Sequence, residues 1–262
     1  MNHDNHAAGD FDTVFRSAAV AEALAQAAPP LHEAASAFWQ SAMSQAALSP
    51  RMRELVLVAL HSTVTSLNAE GTQRHVRRAL EAGAEPADVL DVLVTIAPTA
   101  NHALYFAVPV LMRELKAAGM DAEYPPPTAQ AQQIKDDFIR SRGVWLEQRE
   151  AIFRLMPEYF AALSKLSTAS WTKGSLTRKE RELIAIAIDC VVTHMFESGL
   201  AMHIRCALEY GATRQEILDV FQLAALMGLE TYIQGAEALY AAGLKPSTNA
   251  TLQSTGRSIL PR

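Results

Sequence analysis

The chain has 262 residues, half of them hydrophobic and fewer than a fifth charged, enough for one large domain or two small ones around an ordinary core. Its net charge of -5, with no basic stripe, argues against a nucleic-acid partner. The polar start MNHDNHAAGDFD lacks the apolar run of a secretory signal, and the greasiest stretch, Val89 to Met112, is broken by Asp91, Pro98, Asn101, His102 and Pro109, so neither export nor a membrane span is expected.

In chain order, Phe11 to Ala27 and Leu31 to Ala47 read as short helices. Ser49-Pro50 then supplies an N-cap and a proline at N1 for a longer one. Its apolar run, Leu55 to Leu60, could be a buried strand, but it lies in a stretch from Arg51 to Glu70 without proline or glycine. Strands rarely run that long, so a buried helix is expected. A second helix carries His75 and stops at Gly83, where glycine tolerates the left-handed C′ position. Two more helices follow. Pro125-Pro126-Pro127, within 119–128, cannot continue a helix and marks an extended spacer. Helices are expected around Gln130 to Arg142 and Trp145 to Lys165. Thr177-Arg-Lys-Glu180 is a capping box that opens a buried helix through Leu183 to Ile188. The next helix carries His203 and stops at Gly211, and a second capping box, Thr213 to Glu216, opens another. The tail after Gly243 is polar and without helical pattern, so an extended or disordered end is expected, with His3 and His6 solvated at the opposite end of the chain.

The order of these elements repeats. Shifted by 128 residues, Leu48 to Ala103 falls on Leu176 to Thr231 without a gap, and 19 of 56 positions are identical. Arg53-Glu54-Leu55 meets Arg181-Glu182-Leu183, Gly71 meets Gly199, His75 meets His203, and Leu90-Asp91-Val92 meets Leu218-Asp219-Val220. Such a match implies duplication. The expected fold is all-α, with two tandem copies of one helical module and extra helices before each. The expected organisation is a first module at 1–118 with its core at 48–118, a spacer at 119–128, a second module at 129–243 with its core at 176–243, and a tail at 244–262.

The run Leu176-Thr-Arg-Lys-Glu-Arg-Glu-Leu, followed by Glu197-Ser-Gly-Leu-Ala-Met-His203-Ile-Arg-Cys-Ala-Leu-Glu-Tyr-Gly-Ala, resembles the carboxymuconolactone decarboxylase and alkyl hydroperoxidase D-like superfamily. The resemblance covers both modules. It implies an all-α fold and a homo-oligomeric ring, often a trimer of the doubled module. It also implies one of two chemistries. The peroxidase branch uses a C-x-x-C pair ending four residues before the histidine. Those positions are Phe196 and Gly199 before His203, and Asn68 and Gly71 before His75, so both modules lack the thiols. The decarboxylase branch has a glutamate six residues before the histidine, and Glu197 with His203 matches that spacing. Loss of CO₂ from a carboxylated enol lactone leaves a dienolate. A histidine tuned near neutrality suits the proton transfer that follows, and a carboxylate can orient it.

The ionisable residues are distributed unevenly between the copies. The second has Asp189, His194 and Glu197 where the first has His61, Ser66 and Ala69. The expected catalytic set is therefore His203, Glu197, His194 and Glu182, with Asp189, Cys190, Glu54 and His75 secondary, and the first module is expected to act as scaffold and interface. His203 could instead be a core histidine hydrogen-bonded to a glutamate or carbonyl, and Glu54 and Glu182 could pair with neighbouring arginines. His194 and Glu197, three apart, would share a helix face and with His203 could bind a metal. A lone His-x-x-Glu is a weak signal, so neither metal nor cofactor is expected. The alternatives are a peroxidase working through Cys190 or Cys206 and a non-catalytic oligomeric binding protein. With no export signal, both cysteines are expected to be buried free thiols in a reducing cytoplasm.

Overall fold

The computed structural model describes residues 10–245, which fall into two compact units, 10–44 with 228–245 and 45–227. The termini holding His3, His6 and most of the polar tail lie outside the described residues. Those residues contain helices and no strand.

The smaller unit holds a 3-10 turn Phe11–Val14, α1 (Ala18–Ala27), α2 (Pro29–Met43) and the closing helix α13 (Leu229–Ala241). Phe11 centres it, with the rings of Phe15, Trp39 and Tyr232 between 5.3 and 6.2 Å away. Trp39 is therefore a core residue.

The larger unit holds both copies of the repeated helices. In the first, α3 (Pro50–Ser62) is followed by α4 (Ala69–Glu81) and α5 (Pro86–Ile96). In the second, α10 (Arg178–Cys190) is followed by α11 (Glu197–Glu209) and α12 (Arg214–Leu226). Every residue from Leu55 to Leu60 and from Leu183 to Ile188 is buried, which is why both runs are apolar all round. The caps form as the sequence implies. Ser49 Oγ accepts from the Met52 amide, Thr177 and Glu180 close a capping box, and Thr213 and Glu216 close another. Gly83 and Gly211 take φ values of 91° and 84° just past their helices.

The two copies brace one another across a pseudo-two-fold. Helix α3 packs on α10 and α12, and α10 packs on α5. Thr193 Oγ1 meets its own repeat equivalent, Thr65 Oγ1, at 3.0 Å. Asp91 accepts from the Leu176 amide at 2.8 Å and pairs with buried Arg181 at 2.5 Å. Its equivalent Asp219 accepts from the Leu48 amide at 3.3 Å. By length and composition Pro86–Ala117 could cross a bilayer. Two of its residues, Asp88 and Asp91, are instead held in ion pairs with Arg51 and Arg181 inside this unit.

Between the copies, a 3-10 turn Ala97–Asn101 leads into α6 (His102–Ala117), and no helix occupies the proline spacer. Then come α7 (Ala129–Arg142), α8 (Arg149–Leu155) and α9 (Pro157–Lys173). A single helix was expected around Trp145 to Lys165. It is two, because the residue before a proline is disfavoured in the α region, and Met156 sits at φ −136° and ψ 60°. Phe138, Trp145, Phe153 and Phe160 pack edge-on or tilted between α7 and α9, so Trp145 is part of a local core.

Candidate active site

Helix α10 supplies two carboxylates. Glu182 and Asp189 are seven residues apart, close to two full turns, so they share one face. His203 comes from α11. Its Nδ1 is hydrogen-bonded to Glu182 Oε2, and its Nε2 lies 3.8 Å from Asp189 Oδ2. The first copy holds the same pair, with His75 Nδ1 2.7 Å from Glu54 Oε2. The neighbouring arginines make their hydrogen bonds elsewhere, Arg53 to the Gln45 carbonyl and Arg181 to Asp91.

A tight turn leads from α10 to α11. The His194 amide donates to the Val191 carbonyl and the Phe196 amide to the Asp189 carbonyl, each at 2.9 Å. Met195 takes a left-handed φ of 46°, matched by Leu67 at 44° in the first copy. This turn brings His194 Nε2 to 3.5 Å from Asp189 Oδ1. His102, the first residue of α6, completes the group. Its Nδ1 is 2.7 Å from His194 Nε2 and 3.6 Å from Asp189 Oδ1. The Phe196 and Tyr105 rings pack beside His102, with centroids 4.1 and 5.3 Å from its own.

His203 and His102 line a cavity of about 60 Å³. Arg142 at the end of α7 and Arg149 at the start of α8 line it too, with Phe138, Phe160 and Trp171 among the apolar walls. Arg142 stacks its guanidinium 3.4 Å from the centre of the Trp171 ring, and Arg149 donates from Nε to the Tyr105 hydroxyl at 3.0 Å. Nη1 of each arginine is buried with no hydrogen-bond partner among the described residues.

Burial dominates the electrostatics. It pushes the Asp189 carboxyl up to about 8, with the nearby Glu182 charge adding to the effect. It pushes His102 down to about 3, aided by the neighbouring His194 and His203. His203 is also lowered by burial, although Glu182 pulls the other way, and His194 is lowered by burial. Arg142 is lowered to about 10 by burial against the opposing pull of Glu182.

The structure therefore brings Glu182, Asp189, His194 and His203 together. It does not bring Glu197. That residue is exposed in the first turn of α11, and among the described residues no hydrogen bond or ion pair joins it to the others. The reason is helical geometry: six residues turn the chain through about 240°, so Glu197 and His203 project from different faces. Nor do His194 and Glu197 share a helix, because His194 lies in the turn before α11. Cys190 is half-buried and its thiol is pushed up to about 11 by burial and the Asp189 charge. Neither cysteine lines the cavity. Glu54 and His75 form their own buried pair in the first copy. His102, Arg142 and Arg149 were missed. The only signal for His102 was a polar residue interrupting an apolar stretch, and the arginines lie before the aligned repeat.

The family model for the carboxymuconolactone decarboxylase family matches residues 29–118 and again 157–242. The chain belongs to the carboxymuconolactone decarboxylase family. A solved structure from Burkholderia xenovorans LB400, named a "putative gamma-carboxymuconolactone decarboxylase subunit", superposes with a TM-score of 0.81 at 29% identity, over 88% of this chain and 93% of that one. No curated protein matches the chain. The two matched segments fall on the two copies of the repeat, so this member of the carboxymuconolactone decarboxylase family carries the family's helical module twice.

Proposed function

We propose that the cavity beside Glu182 and His203 decarboxylates a small carboxylated, lactone-type metabolite. One observation carries the reading: His203, hydrogen-bonded to Glu182 behind it, lines a small cavity with two arginines whose Nη1 groups are buried with no hydrogen-bond partner among the described residues. Buried N–H groups without an acceptor are costly, and a guanidinium matches a carboxylate in charge and shape. The substrate carboxylate that is retained would take those donors. The C–CO₂ bond breaks, its electron pair delocalises onto the lactone carbonyl, and His203 delivers a proton from Nε2 to the resulting carbanion. Glu182, accepting from Nδ1–H, holds the ring in that orientation and stabilises the transient imidazolium. Solvent restores the proton, so one proton is consumed per CO₂ released. The aromatic walls keep water from the dienolate. Family membership and the likeness to the B. xenovorans protein support the reaction class. A thiol held near 11 is almost wholly protonated at neutral pH, which disfavours the peroxidase alternative.

The test is CO₂ release from a panel of γ-carboxylated butenolides. His203→Ala should reduce turnover by at least about 100-fold with the helical spectrum intact, the scale of a lost proton-transfer group. Arg149→Gln should raise KM more than it lowers kcat. An H203A variant that turns over like the wild type sinks the assignment.

A further inference from the structure

We propose that His102, Asp189 and His194 form a binding site for one divalent transition-metal ion, open on the side of His203. Three ligand atoms converge there: His102 Nδ1, His194 Nε2 and Asp189 Oδ1, all within 4.8 Å of one another. Both imidazole nitrogens lie 3.5 to 3.6 Å from the carboxylate oxygen. Ligands bound to one ion at roughly 2.0–2.2 Å stand about 3.0–3.5 Å apart, so these two separations are already near those of a coordination shell. The third, between the nitrogens, is 2.7 Å and would open by a few tenths of an ångström on ligation.

An independent observation points to a ligand. Asp189 is 1% exposed, and neither of its oxygens has a hydrogen-bond partner among the described residues. The nearest ring nitrogens, at 3.5 to 3.8 Å, are beyond hydrogen-bonding reach. A carboxyl group buried without partners is expensive whether charged or neutral. A cation would satisfy it and take the place of the proton that His102 Nδ1 and His194 Nε2 share in their hydrogen bond, each ring then carrying its N–H on the other nitrogen. The surroundings hold the ligands in place. Phe196 and Tyr105 flank the His102 ring, the left-handed turn at Met195 fixes His194, and the absent side chain of Gly199 leaves room for Asp189 Oδ2.

Two imidazoles and one carboxylate form a donor set of intermediate hardness, suited to zinc, cobalt, manganese or iron in the divalent state. Three protein ligands leave coordination positions open to water or substrate oxygen. The first copy cannot repeat the set, because His61, Ser66 and Glu230 occupy the sequence positions equivalent to Asp189, His194 and His102. One ion per chain is therefore expected, not two.

The experiment needs no substrate, so it stands or falls apart from the decarboxylase reading. An untagged full-length chain, with His3 and His6 replaced by alanine to silence its N-terminus, is stripped with chelator and titrated with Co²⁺. Calorimetry gives the stoichiometry and the visible d–d spectrum reports nitrogen–oxygen coordination. The expected result is one saturable site per chain, weakened at least about 100-fold by Asp189→Asn, since even outer partners of metal ligands are worth 10- to 100-fold. His194→Ala, in a half-buried turn, serves as a second test should D189N perturb the fold, and Glu197→Gln should bind like the parent. Absence of saturable binding in the parent, or parental affinity in both H194A and a folded D189N, overturns the proposal.

Discussion

At the scale of single residues, Gly199 stands where Asp189 and Phe196 leave no room for a side chain. This is the position where the peroxidase branch would carry its second cysteine. A β-carbon there would overlap Asp189 Oδ2 and crowd the Phe196 ring. In the first copy a β-carbon at Gly71 would overlap the His61 ring. The glycine is thus tied to the side chain on the preceding helix. Gly199→Ala and Gly71→Ala should each cost about 1–3 kcal/mol in denaturant unfolding, the usual penalty for overpacking. Only G199A should also lower turnover, by roughly tenfold or more, because it displaces Asp189 next to His203. Equal loss of activity in both variants would contradict the asymmetry of the two copies.

At the scale of elements, the connection between copies depends on buried pairs at helix ends. Asp91 on α5 holds both the amide that precedes α10 and the guanidinium of Arg181, with side chains 2% and 3% exposed. Removing one partner leaves a buried charge uncompensated. Asp91→Ala should therefore destabilise the fold by about 3–5 kcal/mol. Asp219→Ala should cost less, since among the described residues Asp219 accepts from two backbone amides and Gln215, and Arg53 acts on it through charge without a close ion pair. Paired denaturation curves check the order, and a D91A loss no greater than that of D219A would show that the ion pair adds nothing. The α-helices themselves were largely legible, because caps, glycine stops and apolar runs act within a few residues. The break at Met156–Pro157 was also written locally, yet the apolar pattern on both sides concealed it.

At the scale of the whole molecule, the two copies keep one buried pair but stand in different settings. In the first, burial pushes Glu54 up to about 7 against the opposing charges of Arg78, Arg53, His61 and Arg74, with His75 as its hydrogen-bond partner. An unfolded chain releases this proton near the ordinary glutamate value of about 4.3. The native state thus binds more protons between roughly pH 4.5 and 7. That contribution to stability is fully present below the unfolded value and is lost as pH rises through the folded one. Stability should fall across this window, and Glu54→Gln should flatten the fall. A pH–stability curve unchanged by E54Q would refute the assignment.

The sequence by itself determined the helices, the duplication and the presence of a glutamate and a histidine at matching positions in each copy, while the pairing of the two came from the structure. These rest on short-range signals and on a repeat that needs no coordinates to detect. It also determined the departure from the peroxidase pattern. Tertiary structure decided the rest of the site. Glu197 had the right spacing but the wrong face. His102 reaches the second copy's carboxylate because α5 packs on α10 and carries the following turn with it. Arg142 and Arg149 enter through the connecting helices, which no periodicity relates to the repeat. Spacing along a chain fixes neighbours within a helix, whereas the partners of a buried charge are chosen by how helices from distant segments pack.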